Sequence, residues 1–95
     1  MVRVEISESA VEDLATLVRA HSLPSDTKER IARTLALLER FPRLGAELGG
    51  RWAGTRFLLG PWRWMIIVYA LLEEENRVGV VTIQDGRSAV SPTSG

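Results

Sequence analysis

The residues best suited to chemistry in this chain are its arginines. Arg40, Arg43, Arg51, Arg56 and Arg63 fall between residues 40 and 64 against one acid, Glu47, a local charge of +4. A guanidinium is planar, permanently charged and able to grip a phosphate in two places, so this run points to a phosphate-bearing partner. Arg63 stands out as the only charge in the apolar stretch Trp62–Leu72; there it must face an opening or meet a partner. Trp52, Trp62 and Trp64 interleave with these arginines and could stack on bases. For Trp62 and Trp64, packing against helices is the simpler expectation. Groups for proton transfer are few. His21 is the sole histidine and Lys28 the sole lysine; the pattern makes His21 a polar helix-end residue. Tyr69 reads as core. With no cysteine, there is no disulfide, thiolate ligand or thiol nucleophile. Gly49-Gly50 lacks a following Gly-Lys-Ser/Thr and a preceding strand, so it is not a phosphate loop. No histidines or carboxylates cluster at metal-ligand spacing, and neither a metal nor a cofactor is expected.

These side chains need a scaffold. At 95 residues, 45% hydrophobic, the chain suits one small domain and buries roughly 64% of its unfolded surface. Val2, Val4 and Ile6 alternate as in a half-buried strand. Ser9 and Glu12 match a capping box, followed by Val11, Leu14, Ala15 and Val18 at helical spacing. Leu23-Pro24-Ser25 breaks that helix. Asp26 can cap a second one, striped by Ile31, Leu35 and Leu38 and closed at Phe41-Pro42. Arg56–Leu59 reads as a strand, Trp62–Leu72 as a central strand apolar on both faces, and Arg77–Gln84 as a valine-rich last strand. Glu73–Glu75 is a solvated turn. The expected class is α+β: an N-terminal strand, a two-helix hairpin and a three-stranded antiparallel meander, with the helices on one face of a four-stranded sheet. Residues 1–88 form the domain, and residues 89–95 a small, polar, flexible tail. No stretch matches a signal peptide or a membrane helix, so a cytoplasmic protein without membrane contact is expected.

Four segments together resemble the RelE/ParE toxin superfamily of bacterial type II toxin–antitoxin systems, which includes plasmid stabilisation proteins. They are VEISESAVEDL, LLERFPRLG, TRFLLG followed by WRWMIIVY, and VVTIQDGRS, spanning residues 4–88. The resemblance implies a small toxin that is neutralised by a cognate antitoxin and inhibits translation or DNA gyrase. Its nucleolytic members cleave messenger RNA by 2′-hydroxyl attack without a metal. That chemistry needs a base, positive charge for the phosphorane and an acid for the leaving oxygen. Arg56, Arg63 and Arg87 match basic positions of the family, and Glu47 matches the glutamate that one branch uses as general base. The tyrosine or histidine that often closes the nucleolytic site has no counterpart in Asp85-Gly86-Arg87-Ser88-Ala89. The resemblance therefore leaves an alternative open, a catalytically inactive protein-binding module of the same fold. The formal net charge of zero favours the less ribosome-directed branch, although residues 1–39 and 65–95 each carry −2 and leave the basic segment between them.

Overall fold

The computed structural model describes residues 1–87; the expected tail at 89–95 lies outside them. Strand β1 (Arg3–Ile6) leads into helices α1 (Glu8–His21) and α2 (Thr27–Arg40), and then into strands β2 (Ala46–Glu47), β3 (Thr55–Leu59), β4 (Met65–Leu72) and β5 (Arg77–Asp85). The class is α+β, as the patterns predict. The sheet has five strands rather than four, in the order β1-β5-β4-β3-β2. The extra strand is the two-residue β2, paired antiparallel with β3 through Ala46–Phe57 and Glu47–Arg56. A pair so short, in a glycine-rich loop, leaves no periodicity to detect. β1 lies parallel to β5, while the other pairings are antiparallel.

Local chemistry explains most boundaries. Helix α1 is capped by Ser7, whose Oγ accepts the Ala10 N–H at 3.0 Å, two residues before the expected Ser9 box. Ser7 also holds the neighbouring strand, donating to the Val81 carbonyl at 3.0 Å. Helix α1 ends on Ser22 in the left-handed region, φ 49°. Helix α2 stops at Phe41, before Pro42, as a proline requires.

The core joins Ala10 of α1, Ile31, Leu35 and Leu38 of α2, Met65, Ile67 and Tyr69 of β4, and Val78, Val80 and Ile83 of β5. Val80 and Ile83 are three residues apart, which strict strand alternation would send to opposite faces. A bulge resolves this: Tyr69 pairs with Val80 but Val68 with Thr82, so Val81 is the extra residue and both neighbours reach the core. The central strand begins at Met65, three residues later than the sequence suggests. Trp62, Arg63 and Trp64 therefore belong to the β3–β4 turn, where the Met65 N–H bonds the Trp62 carbonyl at 3.0 Å. Among the described residues, no helix is long and apolar enough to cross a membrane.

Candidate functional site

The four residues singled out by the resemblance do not share one place. Arg56 pairs across the sheet with Tyr69, so the two side chains share a face. The Arg56 guanidinium is committed to the loop after α2: it donates to the Gly45 carbonyl at 2.8 Å, the Arg43 carbonyl at 3.3 Å and Glu47 Oε1 at 3.0 Å. Tyr69 holds the same loop from beneath. Its hydroxyl accepts the Gly45 N–H at 2.9 Å and donates to the Pro42 carbonyl at 2.8 Å. Burial pushes the Tyr69 phenol above its ordinary pKa, with the Gly45 bond and Arg56 acting against the shift. Gly45 permits the close approach, because a Cβ there would lie 2.5 Å from the Phe57 carbonyl oxygen. Glu47, Arg56 and Glu73 line a small cleft at this end of the sheet. Glu73 also pairs with Arg43, so acids match the bases here.

Arg63 and Arg87 lie at the opposite end. Asp85 pairs with Met65, whereas Arg56 pairs with Tyr69. The two ends are thus four residues apart along β4, about 13 Å, and two strands across. No single phosphate group bridges them. Arg63 is exposed at the tip of the β3–β4 turn and makes no ion pair with any described residue. Around it the rings converge. The Trp64 ring stacks on His21 with centroids 4.3 Å apart and planes 27° from parallel. Trp62 lies 6.3 Å from Trp64 at 25°. Arg87 covers Trp64 at 5.3 Å and Arg30 of α2 covers Trp62 at 5.5 Å, distances suited to cation–π attraction.

Carboxylates orient these cations. Arg87 Nε and Nη2 reach Asp85 Oδ1 and Oδ2 at 3.0 and 2.9 Å, and His21 Nε2 lies 3.3 Å from Asp85 Oδ2. Arg87 is the main reason that the Asp85 carboxyl falls from its ordinary 3.8 to about 2. Arg30 bonds Asp26 at 2.9 Å, and the other Asp26 oxygen is enclosed without a donor among the described residues. The turn that presents Arg87 is fixed by Gly86, whose N–H bonds the Trp64 carbonyl at 2.6 Å. A Cβ on Gly86 would lie 2.6 Å from Ile66 Cδ1.

The sequence marks His21 only as a polar helix-end residue, yet it lies beside Asp85, 64 residues away in the chain. The available signal was its position: the last residue of α1 must pack where β4 begins, once the hairpin lies on the sheet. Chemically, this end offers cations for phosphate oxygens, ring faces for bases and an imidazole oriented by a carboxylate for proton exchange. The other end offers a cross-braced loop.

No protein-family profile matches the chain, and no curated protein matches it by sequence. Solved structures do. A chain of the intact Escherichia coli RelBE toxin–antitoxin complex is 16% identical, with a TM-score of 0.66, covering 93% of this chain and 100% of that one. The isolated E. coli RelE toxin is 15% identical, with a TM-score of 0.65, covering 95% and 89%. A chain of the RelBE2 complex of Mycobacterium tuberculosis is 23% identical, with a TM-score of 0.60, covering 88% and 96%. At these identities the likeness establishes the fold: this chain is built as the RelE toxins are.

Proposed function

We propose that the chain is the toxin of a bacterial type II toxin–antitoxin system, neutralised by a cognate antitoxin and acting in the cytoplasm to inhibit translation. The observation that carries this reading is the extent of the fold match, which takes in the whole of a chain from the E. coli RelBE complex. The antitoxin has a surface that suits it. An apolar groove between the helices, lined by Ile6, Val11, Leu14, Val18, Ala32 and Ile83, leaves Val11 55% and Ile6 46% exposed. An amphipathic helix or strand from a small partner would cover them.

Translation is favoured over gyrase by the β3–β4 turn end, where unpaired arginine charge, aromatic rings and an imidazole occur together. Within this reading Arg63 and Arg87 meet the target's phosphates. Arg56 and Glu47 act indirectly, by holding the loop after α2. Purified protein added to a cell-free bacterial translation reaction should lower protein yield while leaving gyrase supercoiling intact. Full yield together with blocked supercoiling would assign the gyrase branch instead. Full yield with unaffected supercoiling would leave the inactive binding module as the better account.

A further inference from the structure

Helices α1 and α2 rest on different strands, α1 against β5 and α2 against β1. Between them runs an apolar trough of about 550 Å³, within the roughly 300–1,000 Å³ of small-molecule sites. Ala10, Ile31, Leu35 and Ile83 seal its floor, each at most 5% exposed, so an occupant rests on packed core. The charged lining is confined to one end. Arg19 belongs to the last turn of α1 and Lys28 to the first turn of α2, and the short connection between the helices places those turns side by side. Neither cation forms an ion pair with a described residue. Among the described residues no carboxylate lines the trough. From Val11 at the other end to Arg19 is eight residues of helix, about 12 Å.

We propose that this trough binds a free anionic amphiphile: an unbranched acyl chain lies along it and the terminal carboxylate meets Arg19 and Lys28. The lining selects this class of ligand. Helical backbone satisfies its own hydrogen bonds, so walls and floor offer no partner to a polar group, and burying one there is costly. A methylene chain brings no such group. Both cations stand at one end, so a single terminal anion is matched and a charge in mid-chain is not. The trough is the surface given to the antitoxin above, and the regulatory consequence rests on that reading. Amphiphile and antitoxin compete for one seat, so a rise in free acyl anion loosens the neutralised complex. Binding of the amphiphile does not depend on the antitoxin, and the chain alone reports it.

The test titrates the isotopically labelled full chain with decanoate below its micelle concentration, following backbone amide shifts by NMR and affinity by calorimetry. Shifts are expected at Val11, Leu14, Val18, Lys28 and Ala32, and not at the Arg56 end of the sheet. Octanoate should bind roughly 4- to 15-fold more weakly, because each fully buried methylene is worth about 4-fold. Decanol, the same chain without the charge, should bind several-fold more weakly than decanoate. The double variant Arg19→Gln, Lys28→Gln should erase that difference and leave decanol binding unchanged. Ala32→Phe sets a ring in the trough and should reduce both ligands below detection. Absence of localised shifts at millimolar decanoate would overturn the proposal. So would equal affinity for decanoate and decanol, indifference to chain length, or full affinity in Ala32→Phe. Adsorption to phosphatidylglycerol vesicles without binding of free decanoate would mark a membrane surface instead and overturn it as well. Arg19, Lys28 and Ala32 are exposed, so the variants leave the core intact.

Discussion

Removing the Arg56 guanidinium leaves the Arg43 and Gly45 carbonyls without their donor and Glu47 without its partner. Arg56→Ala is therefore expected to lower unfolding free energy by about 1–2 kcal/mol, read by urea denaturation. Arg63→Ala, at an exposed turn tip, should stay within about 0.5 kcal/mol of the parent. Equal losses in both would contradict the division of labour between the two ends. A second residue-scale prediction concerns acid. Asp85 is held at about 2 against an ordinary 3.8, so its contribution is complete above the ordinary value and lost as pH falls toward 2. Stability measured from pH 5 to pH 2 should decline in that window, and Asp85→Asn should flatten the decline; parallel profiles would refute the linkage. The arginine-rich middle was legible in the sequence because charge is a property of composition. The pairing of His21 with Asp85 was not, because it depends on two elements meeting in space.

The helices and the three longer strands were legible as elements for the same reason that they form: each repeats its apolar residues at its own period. Where a period is absent or interrupted, the sequence misleads. β2 is two residues long, too short for any alternation. The apolar run Trp62–Leu72 looks like one strand, yet Gly60-Pro61 and the tryptophans form a turn, and that turn moves Arg63 from a sheet face to a tip. The bulge at Val81 is likewise invisible to a strict two-residue rule. The parallel pairing of β1 with β5 is a tertiary choice that an edge strand's own residues do not encode. One prediction belongs to this scale. Ser22 ends α1 at φ 49°, a conformation that glycine adopts more readily than serine. Ser22→Gly should raise stability by roughly 0.5–1 kcal/mol. A loss on thermal or urea unfolding would show that the serine contributes something the cap geometry does not reveal.

At the scale of the molecule, neutrality conceals an arrangement. The chain sums to zero, but one end of the sheet balances its arginines with Glu47 and Glu73, while the other presents Arg63 and Arg87 beside stacked rings. The opposite flank is an apolar groove between two helices and the end of β1. The fold is shared with RelE toxins, and the exposed groove and the arginine-bearing end are what the proposed toxin, active only when its antitoxin is absent, requires. The most direct measurement of that account is bacterial growth after induced expression of this chain, alone and together with whatever small open reading frame adjoins its gene. The account predicts arrest when it is expressed alone and recovery on coexpression. Unimpaired growth with the protein soluble, folded and abundant would contradict it.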